Sequence, residues 1–288
     1  MTEILSSFLP AAMMVLMLSL GLKLDPGEVS RALRHPRALA VGLLVQIVGL
    51  PLIAFAVALG FGLEGVLLAG LILVAASPGG VTSNYAALLV RGSVGLSVSM
   101  TFVTSIAAPI TLPLVLVATT ALAPEAGGLW KISLGMTGVA LVPLLFGLAA
   151  TRAVPRLSAR ASKLLDPLAK LLFLAMVLAT FAQNWSAMQG GVAGTGPAVT
   201  LFALLAPALA FAAAKLARVT PPERRTLMVE ATMQNVAVTI FVASTLLDQP
   251  GLAIPGLIYA VEMNVVALLV VGGAHLAARR KGLRPTAS

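Results

Sequence analysis

The sequence predicts an all-α polytopic membrane protein of about nine transmembrane helices, and three observations carry that prediction. The 288 residues are 59% hydrophobic and only 10% charged, and their mean hydropathy of +1.03 is far from the balance of a soluble domain. Between basic clusters run apolar stretches of ~20 residues, the length that crosses ~30 Å of hydrocarbon. The basic clusters themselves fall on alternate connections, as the positive-inside rule requires of a chain threading back and forth. A very apolar soluble helical bundle would have no reason to alternate its charge in this way.

In chain order the spans read as residues 4–22, 38–60, 65–90, 94–122, 132–151, 167–188, 197–217, 226–247 and 253–277. The first lacks a basic leader and an A-x-A cleavage site, so it reads as a retained span, not a signal peptide. Lys23, Arg31, Arg34 and Arg37 follow span one and Arg91 follows span three. Arg152, Arg156, Arg160, Lys163 and Lys170 surround the link between spans five and six. Lys215, Arg218, Arg224 and Arg225 follow span seven, and Arg279, Arg280, Lys281 and Arg284 follow span nine. Only Lys131 lies on the other side, where Glu3, Glu64, Glu125 and Asp248 sit among Gly- and Pro-rich turns. The expectation is an N-terminus outside and a C-terminus in the cytoplasm, in the inner (plasma) membrane, with an odd number of spans. The longest connections, near 23–37 and 152–166, are too short for a separate soluble domain, so residues 1–288 read as a single transmembrane domain.

Composition also removes whole classes of function. Absence of cysteine excludes disulfides, thiolate metal sites and cysteine nucleophiles. His35 and His275 lie near span ends beside arginines and read as interfacial residues. The net charge of +9 is accounted for by the cytoplasmic connections, so nucleic acid is not an expected partner. No His-Glu-x-x-His, paired catalytic aspartates or Asp-rich diphosphate motif is present, which argues against an intramembrane enzyme. A channel or receptor is the other class to weigh; deep polar sites on interrupted helices suit a carrier better.

The informative residues are polar ones at membrane depth. Span three is interrupted by "SPGGVTSNYAALLVRGS", Ser77 to Ser93. Lipid tolerates such a break only where protein or a water-filled cavity covers it. Gln46 sits in span two, Ser97, Ser99, Thr101, Thr104 and Ser105 in span four, Glu230, Gln234 and Asn235 in span eight, and Glu262 and Asn264 in span nine. Isolated serines and threonines bond back to their own helix at little cost. A carboxylate such as Glu230 costs several kcal/mol unless it is paired or faces an aqueous cavity. Spans three and eight run in opposite directions with polar clusters part-way along. Interrupted segments at matching positions of two inverted halves point to a transporter's binding site. Carbonyls freed at Pro78–Gly80 suit a hard cation, the half-helix starting near Ser83 suits an anion, and Ser83 and Asn84 add neutral oxygens.

The stretch "PGGVTSN…RGSVGLSVSMT" together with "EATMQN" resembles the bile acid:sodium symporter family, bacterial branch. Gln46, "GLKLDP…RHPRA" and "PGLIYAVEMN" fall in register as well, so the resemblance covers essentially the whole chain. It implies one Na+ held by Ser83, Asn84, Ser97, Thr101 and Glu230. It implies a second held by Gln46, Glu230, Gln234 and the backbone carbonyls of Ala231 and Met233. It also implies a core domain of crossed broken helices (near 38–122 and 197–277) and a panel domain (near 4–22, 132–151 and 167–188). Many members have ten helices, and the counterpart of their first is missing in this count, which leaves span five unpaired. The substrate side, by the same resemblance, comprises Val81, Thr82, Ser83, Asn235, Glu262 and Asn264. It departs from the family where Val81 replaces a frequent threonine and Glu262-Met263 replace Trp-His. A related arsenite carrier would use an intramembrane cysteine, which this chain lacks. The expectation is Na+-coupled symport of a small organic anion (a pantoate-like hydroxy acid, a keto acid or a bile acid) by alternating access in membrane lipid. A proton-coupled or sodium-independent carrier of the same fold is the alternative.

Overall fold

The computed structural model describes residues 2–24, 27, 36–80, 82–120 and 128–280. Every regular element in these residues is helical. Several residues named above lie outside them: Val81, Arg31, Arg34, His35, Glu125, Lys281 and Arg284.

Helix α1 spans Thr2–Lys23, and α2 spans Pro36–Gly60 with a π-helical turn at Val45–Gly49. Next come α3 (Gly65–Ala76) and the short α4 (Thr82–Leu89). The middle of the chain holds α5 (Val94–Thr119), α6 (Gly128–Ala153) and α7 (Pro155–Gln183). Helix α8 runs over Trp185–Leu216, α9 over Pro221–Thr232 and α10 over Val236–Leu246. A 3-10 turn at Pro250–Ala253 leads into α11, Ile254–Arg280. Among the described residues six helices are long and apolar enough to cross a membrane, and Ser7–Lys23, α3 and α10 are shorter apolar helices.

Two expectations are corrected. The link near 152–166 is not a loop: α6 ends at Ala153 and α7 begins at Pro155, a residue whose fixed φ and missing N–H suit the first helical position. Arg156, Arg160 and Lys163 recur at helical spacing on its exposed side, so a hydrophilic run that read as a connection is a solvated helix face. Likewise residues 189–196, expected between spans six and seven, lie inside α8, and Asn184 alone separates α7 from α8. There the glycines "GGVAGTG" lowered the helical signal without ending the helix.

Two packing groups emerge. Helix α1 lies against α6 and α7. A Cβ on Gly21 would fall 2.1 Å from the Leu144 carbonyl oxygen and one on Gly147 2.6 Å from that of Leu18, so the two backbones touch through small residues. In the other group α8 packs on α9, α11 and α2, while α3 packs on α2, α5 and α11. A salt bridge from Lys23 to Asp166 ties α1 to α7, and Lys170 adds a second at 2.9 Å.

Candidate functional site

The site is made by two helices that stop in the middle of the bundle and meet. Helix α3 ends where Ser77, next to Pro78, takes the extended backbone that a following proline favours. Helix α9 ends at Thr232 with neither proline nor glycine; Met233 and Asn235 leave helical geometry, and Asn235 Oδ1 accepts from Val238 N (3.4 Å) at the start of α10. The backbone groups freed at one break are satisfied by the other. Gly80 N donates to Met233 O (2.7 Å) and Asn235 N donates to Pro78 O (2.9 Å). Gly79 and Gln234 face each other as an antiparallel bridge. This mutual pairing is how unwound backbone survives at membrane depth.

Around the crossing, side chains from four helices and from the α9–α10 break converge. Glu230 of α9 is 1% exposed. Its Oε1 accepts from Ser97 Oγ (2.9 Å) and Thr101 Oγ1 (2.8 Å), both on α5. Ser83 Oγ on α4 donates to Gly80 O (2.7 Å) and lies 3.5 Å from both hydroxyls. On the other flank Gln46 Nε2, carried on the π-helical turn of α2, donates to Gln234 Oε1 (2.7 Å) and Ser77 O (3.1 Å). Gln234 Nε2 donates to Ala231 O (2.9 Å). The structure therefore brings Ser83, Ser97, Thr101 and Glu230 into one cluster and Gln46, Gln234 and Ala231 into another, while the Met233 carbonyl accepts from Gly80 N across the crossing.

Several polar atoms of the predicted site residues are left without a partner. Glu230 Oε2, Gln46 Oε1 and Asn84 Oδ1 are buried acceptors without a partner, while Asn235 Nδ2 is a buried donor without one. Buried polar atoms are nearly always paired in native proteins, so three orphaned oxygens ask for a cation and one orphaned N–H for an acceptor. Glycine at 79 keeps the space open: a Cβ there would lie 2.9 Å from Glu230 Oε2 and 3.3 Å from Thr101 Oγ1. The carbonyls of Ala231 and Met233 each accept one hydrogen bond already and keep a second lone pair.

The expected substrate-side residues are not gathered in the same way. Thr82 is exposed at the start of α4 and Asn235 is buried at the crossing. Asn264 is exposed and its Nδ2 turns back to Ala260 O (2.6 Å). Glu262 accepts from Thr200 Oγ1 of α8 (2.7 Å). Two residues apart on a helix, Glu262 and Asn264 project roughly 200° apart.

Three supporting residues escaped the sequence reading. Tyr259 OH donates to Thr232 O (2.7 Å), capping the end of α9. Ser77 Oγ donates to Leu73 O and meets Thr239 Oγ1 (2.9 Å), locking α3 to α10. A tyrosine within an aliphatic span was the visible signal, since a buried phenol needs an acceptor; nothing in the sequence singled out Ser77 or Thr239.

Comparison with known proteins gives concordant results. The model of the Sodium Bile acid symporter family matches residues 10–189. The chain is 31% identical over 272 residues to "Probable sodium/metabolite cotransporter BASS2, chloroplastic" of Oryza sativa subsp. japonica, covering 93% of this chain and 63% of that protein. It is 27% identical to "Uncharacterized sodium-dependent transporter YocS" of Bacillus subtilis, covering 91% and 81%. Over 112 residues it is 37% identical to human "Sodium/bile acid cotransporter 4", covering 39% and 26%. The chain thus spans less than two thirds of the length of the rice relative.

Proposed function

The chain belongs to the Sodium Bile acid symporter family, a family of transporters and not of enzymes, and from that premise we propose that it couples two sodium ions to the carriage of one small organic anion by alternating access. The observation that carries this reading is a set of buried acceptors without partners, Glu230 Oε2 and Gln46 Oε1 on side chains that converge at the crossing of two interrupted helices, and Asn84 Oδ1 on α4. An ionised Glu230 there is a buried charge without compensation. A sodium ion among Ser83, Asn84, Ser97, Thr101 and Glu230 supplies that compensation. A second, among Gln46, Glu230, Gln234 and the carbonyls of Ala231 and Met233, draws on the other flank of the same carboxyl. With an oxygen-only donor set the site suits a hard monovalent ion.

The six long helices and three shorter apolar ones make nine spans in this reading, with the N-terminus outside and the C-terminus in the cytoplasm of the plasma membrane. Helices α1, α6 and α7 form a panel, against which a core of the remaining helices rocks. The chain has no native cysteine, so introduced ones report cleanly. A cysteine at Ser288 is expected to label only from the cytoplasmic side and one at Glu125 only from outside. Labelling of both from one side contradicts nine spans.

On the substrate side, the anion's carboxylate lies near the N-terminal end of α4, where helix amides and the dipole favour negative charge, and Asn235 Nδ2 is the donor awaiting it. The family resemblance adds Val81, Thr82 and Asn264 to the substrate side in the proposal. Asn235→Ala is expected to weaken binding of the anion at least tenfold while sodium-induced stabilisation persists. A thermal-shift screen of hydroxy and keto acids and bile acids, with and without sodium, identifies the ligand and tests the coupling together. Stabilisation by an acid that is indifferent to sodium, or by none together with no response to sodium, contradicts the proposal.

A further inference from the structure

We propose that Glu262 and Thr200 form a proton-binding site at the interface of α11 and α8, separate from the sodium cluster. The inference rests on the reading of the chain as a membrane-spanning carrier. Glu262 stands eight residues from the start of α11 at Ile254, about 12 Å along the helix, well inside a hydrocarbon layer of ~30 Å. Its Oε1 accepts from Thr200 Oγ1 at 2.7 Å, while its Oε2 is sealed from solvent without a partner. The ion pairs of the described residues join Lys23 and Lys170 to Asp166 and do not reach it.

Among the described residues, the elements packed on α11 bring no compensating cation to it. On α8 the only charged group is Lys215, about 22 Å along the helix from Thr200. Helices α3 and α10 and the 3-10 turn carry none. Helix α9 presents Glu230, which is bonded to Ser97 and Thr101, and at its start Glu223, Arg224 and Arg225. Tyr85 on α4 is exposed, and the charges of α7 lie between Arg156 and Lys170, none in its last thirteen residues. On α11 itself Tyr259 donates its hydroxyl to Thr232 O, and His275 caps Leu89 O (2.8 Å) about 20 Å away. A sodium ion is poorly served here, because hard cations take around six oxygens and the pair offers three. A proton needs one. Transfer of H+ from water to the carboxylate gives a neutral carboxylic acid whose carbonyl oxygen keeps the Thr200 bond, and it removes the charge that makes the position costly. The proton site uses Glu262 of α11 and Thr200 of α8, neither of which belongs to the cluster at the crossing.

Infrared difference spectra of the purified full chain in sodium-saturated nanodiscs test this. Wild type is expected to show a protonated-carboxyl C=O band at neutral pH that disappears in alkali. Glu262→Gln is expected to lose one such band completely, and Thr200→Val to move it to higher frequency by removing the bond to Oε1. The sodium-induced rise in Tm, measured on the same samples, is expected in all three proteins and tests the carrier reading independently. Spectra of Glu262→Gln that superimpose on wild type at every pH, with the sodium response intact, overturn the proton site and leave the carrier reading standing. Loss of the sodium response from wild type overturns the carrier reading, whatever the band does.

Discussion

Glu230→Gln is expected to abolish the response to sodium. The substitution keeps the length of the side chain, removes its charge, and can put an NH2 group where an ion needs oxygen. Wild type saturated at a hundred times its dissociation constant should gain about 2.7 kcal/mol from one bound ion, read as a rise in Tm, and the variant should gain nothing. The sign in sodium-free buffer is equally diagnostic. There wild type holds an unpaired carboxyl oxygen, Glu230 Oε2, in the protein interior, and removing a buried charge that lacks its partner does not destabilise. The variant should therefore be at least as stable as wild type without sodium and less stable with it. Gln46→Ala should be milder: it takes away Gln46 Oε1 and the bonds to Gln234 and Ser77, leaving the Ser83–Ser97–Thr101–Glu230 cluster to bind one ion.

The second large effect is energetic. Two Na+ with a monoanion move one net positive charge inward. Tenfold sodium gradients contribute ~1.4 kcal/mol per ion, and 100 mV contributes ~2.3 kcal/mol per charge. The total of about 5 kcal/mol supports accumulation of several thousandfold. One ion with the same anion is electroneutral and supports roughly tenfold. Proteoliposomes supplied externally with whichever acid gives sodium-dependent stabilisation are expected to take it up with a Hill coefficient above one for sodium. Clamping the membrane potential to zero should lower the accumulation about fiftyfold. Uptake indifferent to voltage would mean one ion per anion.

Much of this was legible in residues because lipid is an exacting solvent. Pro78–Gly80 could not sit inside a continuous helix, and Glu230 could not sit in hydrocarbon without a purpose; the structure has the break at the first and an incompletely satisfied carboxyl at the second. The partner break at Met233–Asn235 has no proline or glycine, so the polar run "TMQN" located it and the backbone bonds to Pro78 and Gly80 explain it. Helix ends were read less well. Around Pro155 and within "GGVAGTG", polar or small residues imitated loops in helices whose exposed faces tolerate them. Supporting contacts such as Tyr259 to Thr232 and Ser77 to Thr239 join residues far apart in sequence, and periodicity carries no information about such pairs. The resemblance grouped Glu262 with Asn264, whereas helix geometry turns Glu262 toward Thr200 on α8.

Equilibrium binding of sodium-22 to the purified protein tests the shared carboxyl most directly, because it needs no knowledge of the substrate. Two ions per chain are predicted for wild type, about one for Gln46→Ala and none for Glu230→Gln. Undiminished binding in Glu230→Gln, or a single ion per chain in wild type, would contradict a carboxyl that serves both sites.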